Sequence, residues 1–267
     1  MAPVLSNNKP ARAITIQAQD TATISDFTVQ NSTFTNNGVQ ASFEQSGSAN
    51  LTFKLLNNPT MTMTLPAAGT SHAINVASSS TSTGGTIQGR IQGNVIGNAG
   101  VPSSGSPIGN GIRVFIQGRT AATLLIDSNS IRQTPQARGL DAQFLGPLTS
   151  GQPLTQSDIT VTSNDVNPQD STGFPAAAIY IAADSQGGSP VRVRSDVRLN
   201  TVPAGAAIDS FPTFLIVDEV AAAAEAQLVD TAPASANCTA QLTSTNTGSA
   251  SAHAGCALIA GPINTPL

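Results

Sequence analysis

Charged residues are scarce in this sequence: they make up only 10 % of its 267 residues, against about a quarter of a typical globular domain. The formal net charge is −4, so the chain has no basic field that would attract DNA, RNA or an anionic bilayer. No apolar stretch reaches the length of a membrane span. We therefore expect no nucleic-acid partner and no membrane insertion by this chain.

Large aromatic and metal-binding side chains are equally rare. The sequence has no Trp, one Tyr and two histidines, His72 and His253, which lie far apart. It contains no HExxH motif, no Cys–His cluster and no glycine-rich phosphate loop with its lysine. We expect neither a metal nor another cofactor.

Only two cysteines occur, Cys238 and Cys256, and they enclose the polar segment 239–255. We predict a disulfide between them, which would close a short loop and contribute about 3 kcal/mol in the chain-entropy model. An uncharged, polar, thiol-poor composition favours an extracellular or bacterial cell-surface location, where disulfides form. The first residues, "MAPVLSNNKPARAITI", lack the apolar core of a secretion signal, so we expect a processed piece of a longer exported chain.

A repeated template occupies most of the sequence. An apolar residue is followed three positions later by Asn, and two further on by an apolar residue or Thr, as in "IDSNSI" around Asn129. Ser32 opens the series, and its later members are spaced 26, 36, 35, 35 and 36 residues apart: Asn58, Asn94, Asn129, Asn164 and Asn200. A near-constant period of this size indicates stacked structural repeats.

Each repeat contains three short segments in which apolar and polar residues alternate, as in "LTFKL", "IQGRI" and "GIRVFI". Alternation of this kind predicts strands with one buried face. Three strands in about 35 residues, without helical periodicity between them, predict an all-β fold: a right-handed parallel β-helix of about six to seven coils. The Asn residues then stack at a turn, where each amide satisfies unpaired backbone groups and bonds to the next amide.

The pattern changes near the C-terminus. "DEVAAAAEAQLV" (218–229) has the composition of a helix that Asp218 could cap. We therefore predict three parts: a β-helix over 1–216, a helix that covers or leaves its end over 217–230, and a polar β-like segment over 231–267.

These features resemble the large bacterial surface proteins built from right-handed parallel β-helix repeats, including autotransporter-type passengers. The resemblance is carried by "GNVIGNAG…GNGIRVFI", "LLIDSNSIRQ…ARGLDAQF" and "ITVTSNDVNPQDSTGFPAAAIYIAA" and covers about residues 14–215. It implies export and an adhesin-like passenger fragment. Fold resemblance alone does not transfer a function, because pectate-lyase-like enzymes and phage tailspikes share this repeat pattern.

One outward column supports an enzymatic alternative. In stacked coils it contains Arg113, Asp141, Tyr180 and Asp209, with Arg113 about 4.8 Å from Asp141. Asp141 and Asp209 would lie about 9.6 Å apart, just past the usual carboxylate separation of inverting glycosidases. Both carboxylates are expected to be solvated, and no aromatic floor is available for a sugar.

Our sequence-based hypothesis is therefore an adhesive or structural cell-surface solenoid that presents loops, such as 101–110 and 145–155, without catalysis. Its partner would be a glycan or protein of a host or neighbouring cell. The alternative is a polysaccharide hydrolase or lyase that uses Asp141 and Asp209.

Overall fold

The computed structural model describes residues 3–6, 12–63, 72–168, 177–202, 215–221, 223–230, 235–252 and 255–266. Twelve strands form the first part of the described chain: β1 (Val4–Ser6), β2 (Arg12–Ala18), β3 (Thr23–Gln30), β4 (Thr33–Thr35), β5 (Val39–Gln45), β6 (Asn50–Leu56), β7 (Thr60–Thr62), β8 (Ile74–Ser78), β9 (Thr86–Gln92), β10 (Val95–Ile96), β11 (Ile112–Gln117) and β12 (Ala121–Asp127). Ten further strands and one helix follow: β13 (Ser130–Arg132), β14 (Leu140–Gly146), β15 (Thr155–Thr162), β16 (Asp165–Asn167), β17 (Ile179–Ala183), β18 (Val191–Arg198), β19 (Leu215–Glu219), β20 (Ala224–Val229), α1 (Cys238–Thr245), β21 (Ala250–Ala252) and β22 (Ala257–Ile259).

The strands form three parallel sheets. Sheet A has the order β1-β4-β7-β10-β13-β16, sheet B has β2-β5-β8-β11-β14-β17-β19-β21, and sheet C has β3-β6-β9-β12-β15-β18-β20-β22. From β1 to β18, successive strands of the chain lie in sheets A, B and C in turn, and β19 to β22 alternate between B and C. Each strand lies in its sheet beside the strand of the previous round. The predicted parallel β-helix with three strands per coil is thus confirmed.

Inward side chains of equivalent strands lie in register and form continuous apolar stacks. In sheet C, Leu55, Ile91, Ile126, Val161 and Val197 pair one after another across five coils, and each is at most 1 % exposed. The alternation in the sequence produces these stacks, because every second side chain of a strand points to the same face. Burial of these branched side chains is the main contribution that holds the coils together.

The turn from sheet C to sheet A has the same geometry in coil after coil. The residue directly before Ser32 and before each repeated Asn has a positive φ, from Asn31 (51°) and Asn57 (52°) to Leu199 (58°). A left-handed residue reverses the chain sharply, and the side chain that follows it is buried: Asn58 and Asn200 are 0 % exposed.

The buried amides form a continuous ladder. Asn129 Oδ1 accepts from the backbone N–H of Asn94 at 3.0 Å and from Asn94 Nδ2 at 2.9 Å. Asn129 Nδ2 donates to Ile91 O and to Asn164 Oδ1, both at 2.9 Å. The same arrangement joins Asn164 to Asn200, and Asn58 donates to Asn94 at the other end. The five amides thus lie in one inward column and bond from coil to coil, which is the placement that the sequence predicted.

The predicted helix over 217–230 is wrong. These residues include most of β19 and all of β20, and β20 pairs with β18 from Val191–Ala224 to Ser195–Leu228. Within β20 the alanines and Leu228 are buried while Glu225 is exposed, so the segment obeys the period of a strand. The solenoid accordingly continues beyond the predicted end at residue 216, as far as Ile259.

The described chain has a single short helix, α1, which lies where the sequence predicted a polar β-like segment. Asn237 caps it by accepting from the backbone N–H of Ala240 at 2.9 Å. Asn246 follows the helix and accepts from Asn200 N–H at 3.0 Å and from its Nδ2 at 2.9 Å, so it is a sixth amide of the ladder. The predicted Cys238–Cys256 disulfide is present and joins α1 to the last coil.

Candidate functional site

The enzymatic alternative is centred on Asp141, which lies on the outward side of β14. The predicted register is confirmed, because Asp141 pairs with Arg113 of β11 and with Tyr180 of β17. Its predicted exposure is wrong: Asp141 is only 6 % exposed. Asp209, its predicted partner, lies outside the described residues.

Loop side chains close over the Asp141 carboxylate. Oδ1 accepts from Arg138 at 2.8 Å and from Gln143 at 3.0 Å. Oδ2 accepts from Asn110 at 3.0 Å and from Gln143 at 3.1 Å. Four donations from the same chain occupy both oxygens, so the carboxylate serves to hold the loops on the sheet.

The arginine that forms an ion pair with Asp141 is not Arg113, its neighbour across the strands. Arg138 forms the ion pair and also lies 3.8 Å over the centre of the Tyr180 ring. Arg113 instead lies 4.0 Å over the ring of Phe115. Burial lowers the pKa of Arg113, and the charge of Asp141 acts in the opposite direction.

His72 belongs to the same cluster. Its Nδ1 accepts from the backbone N–H of Asn110 at 3.0 Å, which requires an unprotonated nitrogen at that position. The pKa of His72 is lowered from 6.5 to about 4, first by burial and then by the charge of Arg113, while Asp141 opposes the shift. Folding therefore favours the neutral imidazole of His72.

We expect this histidine to make the protein less stable in mild acid. Because the folded pKa lies below the unfolded one, the unfolded state binds more protons between pH 6.5 and 4. The stabilisation is complete above pH 6.5 and is lost as the pH falls towards 4. Denaturant unfolding at pH 7 and pH 4.5 should show a wild-type loss that is about 2–3 kcal/mol larger than the loss in His72→Gln.

His253 is present in both proteins, so its titration cancels in that comparison. Equal pH dependence in the wild type and in His72→Gln would contradict the buried neutral imidazole.

A second candidate site lies at the corner between sheets B and C. Three consecutive turns there differ in length: residues 79–85 join β8 to β9, residues 118–120 join β11 to β12, and residues 147–154 join β14 to β15. The middle turn is the shortest. It fits because Gly118 has a φ of 66°, and an added Cβ would lie 2.7 Å from Ser79 O.

A cleft of about 450 Å³ opens above this short turn, between the two longer loops. We call it the Arg119 cleft; nine residues line it: Ser80, Thr81, Ser82, Thr83, Arg119, Pro147, Leu148, Thr149 and Gln152. None of them is acidic. The sequence predicted loops 78–85 and 145–155, but it did not predict that the short turn between them leaves a cleft.

The inner wall of the corner is fixed by Gln45, which is 2 % exposed. Its Oε1 accepts from Thr120 Oγ1 at 2.7 Å and from Ser82 Oγ at 3.1 Å. Its Nε2 donates to Ala49 O at 3.1 Å and to Gly84 O at 3.2 Å. One buried amide thus ties together the turns of three coils and holds the short turn in place beneath the cleft.

The outer loop is also held. Ser189 Oγ donates to Thr149 O at 2.7 Å and accepts from the backbone N–H of Gln152 at 3.0 Å. The backbone N–H of Arg119 donates to Ser82 O at 3.0 Å. These contacts fix the walls of the Arg119 cleft through the loop backbone and through the side chains of Gln45 and Ser189. The lining side chains of Ser80, Thr83, Thr149 and Gln152 take no part in them.

No family model matches this sequence, and neither a curated protein nor a solved structure matches it. Among the described residues, no group of three or more His, Cys, Asp or Glu side chains is placed to hold a metal ion. Within the same residues, no helix has the length and apolar character to cross a bilayer. Two features of the described chain bear on function: the Asp141 carboxylate with its donors Asn110, Arg138 and Gln143, and the Arg119 cleft.

Proposed function

We propose that this chain is a binding and spacing module of a bacterial cell surface, which presents its corner loops to a glycan or protein of another cell and does not act on it chemically. The observation that carries the proposal is the open Arg119 cleft, formed by unequal loops on a rigid stack of coils. Ligand-binding sites are usually concave and largely preformed.

The geometry at Asp141 favours binding over hydrolysis or elimination. A general acid or base must reach the proton that it transfers. Both oxygens of Asp141 are occupied by donors of the same chain, and the residue is 6 % exposed. A substrate could approach them only after Asn110, Arg138 and Gln143 had moved.

The Cys238–Cys256 disulfide supports the proposed location outside the cytosol, since disulfides persist in oxidising compartments. Stacked coils also suit a spacer, because each coil advances the solenoid by about 4.8 Å and keeps the loops at fixed intervals. We propose that the chain forms one segment of a longer exported protein.

The proposal is tested by applying the purified chain to an array of glycans and extracellular-matrix proteins, and by measuring new reducing ends and unsaturated sugars in the bound polysaccharides. We expect saturable binding without shortening of the polysaccharide. Depolymerisation that disappears in a folded Asp141→Asn variant would establish the enzymatic alternative instead.

A further inference from the structure

Arg119 stands apart from the other cations of this acidic chain. Of the eleven Lys and Arg residues, Lys9 lies outside the described residues. Seven others form ion pairs with Asp or Glu. Arg90 donates to Gln92, and Arg113 lies over Phe115. Within the described part of the chain, Arg119 is therefore the only Lys or Arg residue whose side chain has no partner. It is also exposed.

The surroundings of Arg119 are suited to an anion with hydroxyl groups. Ser80, Thr83, Thr149 and Gln152 line the cleft, and their side chains make no hydrogen bond within the described residues. Hydroxyls and amides both donate and accept, as the hydroxyl groups of a sugar do. Leu148, which is 55 % exposed, provides an apolar surface beside them.

The charge pattern limits the ligand to one of low charge density. A nucleic acid or a polyphosphate is bound through several cations, whereas this cleft contains one cation in a protein of net charge −4. A sugar with a single acid group among neutral hydroxyls matches one guanidinium and several uncharged donors. A volume of about 450 Å³ lies within the usual range for small-molecule sites.

We infer that the Arg119 cleft binds an acidic sugar residue of a glycan, with the carboxylate or sulfate on Arg119 and the sugar hydroxyls on the surrounding Ser, Thr and Gln side chains. The inference rests on the proposed binding function and names its ligand class. The C–H face of the ring lies against Leu148. Arginine is suited to this role because its planar fork can bond both oxygens of a carboxylate or sulfate.

The test is calorimetric titration of the intact chain with three oligosaccharides: xylotriose carrying one glucuronic acid, neutral xylotetraose, and neocarrabiose sulfate. At least one acidic probe should bind more tightly than xylotetraose, with an affinity that falls as salt is added. The comparison of the two acidic probes shows whether the cleft recognises a carboxylate or a sulfate.

Arg119→Gln should weaken binding of the acidic probe about tenfold or more. The melting temperature should not change, because the side chain has no hydrogen bond or ion pair to lose within the described residues. Arg90→Gln removes the same charge from the outward side of β9 and should leave the affinity unchanged. Equal affinity in Arg119→Gln, equal binding of xylotetraose, or no binding of either acidic probe would overturn the inference. An equal affinity for tetra-aspartate would overturn the assignment to a glycan.

The two proposals can fail separately. Saturable binding of a neutral glycan or a protein on the array, unaffected by Arg119→Gln, would refute the acidic-sugar site and leave the binding function standing. Absence of saturable binding both on the array and in the titrations would refute both.

Discussion

An Asn129→Ala variant is expected to unfold with a free energy about 3 kcal/mol below that of the wild type, and to melt about 6–12 °C lower. The substitution removes four hydrogen bonds at once. Two of the groups left behind are the backbone N–H of Asn94 and the C=O of Ile91, and both residues are 0 % exposed. A buried group without a partner costs about 1–3 kcal/mol, so the loss exceeds that of an ordinary surface hydrogen bond.

The position within the ladder provides an internal comparison. Asn58 lies near the first coil, and its Oδ1 accepts from Ser32 N–H at 2.9 Å, with no amide on that side. Asn58→Ala should therefore cost less than Asn129→Ala. Gln88→Ala, on the outward side of β9, removes a polar side chain from the same sheet and should have almost no effect.

Thermal and denaturant unfolding of the three variants would decide the matter. Equal losses in Asn129→Ala and Gln88→Ala would show that the buried amides do not stabilise the solenoid. A larger loss in Asn58→Ala than in Asn129→Ala would contradict the chain of amide contacts as the source of the effect.

Much of the fold could be predicted from the sequence, because the repeat imposes the same local interaction in every coil. The buried turn position requires an amide, and the inward strand positions require apolar side chains. The Asn residues and the apolar residues therefore recur in the sequence with the same period. Asn246 was not predicted as a member of the ladder, because α1 is inserted before it. The spacing from Asn200 becomes 46 residues, and Thr243 occupies the apolar position of the template.

The β20 segment shows how pairing overrides local preference. Ala, Glu and Gln favour a helix in isolation. In the solenoid the small inward side chains of Ala224 and Ala226 fit beside Val191 and Val193 of β18, and the backbone completes the ladder of hydrogen bonds in sheet C. The open edge of β18, to which β20 adds as the next strand, therefore favours a strand over a helix in this segment.

The candidate sites were less predictable than the strands. Strand register placed Arg113, Asp141 and Tyr180 side by side, as the sequence predicted. The burial of Asp141 depends on Asn110 and Arg138, which approach from loops before β11 and β14. The Arg119 cleft likewise depends on differences in loop length, and a repeat pattern contains no information on where a loop folds.

Removal of the disulfide is expected to loosen the last coil by about 3 kcal/mol while the coils before it stay folded. Cys238 is the first residue of α1, and Cys256 directly precedes β22. The strands β21 and β22 have three residues each, and each lies at the end of its sheet with one neighbour. Such short edge strands bury little area, so a covalent link to α1 contributes a large part of their stability.

The measurement is amide hydrogen exchange in the double variant Cys238→Ala/Cys256→Ala. Amides of β21 and β22 should exchange about a hundredfold faster than in the wild type, since about 1.4 kcal/mol corresponds to a tenfold change in an equilibrium constant. Amides of β12, which is paired on both sides, are the control and should be unchanged. Because Asn246 follows α1 and its Oδ1 accepts from the backbone N–H of Asn200, loosening of the helix should also raise exchange at that N–H. Unchanged rates in β21 and β22 would show that strand pairing alone holds the last coil, whereas faster exchange in β12 would show that the disulfide stabilises the whole solenoid.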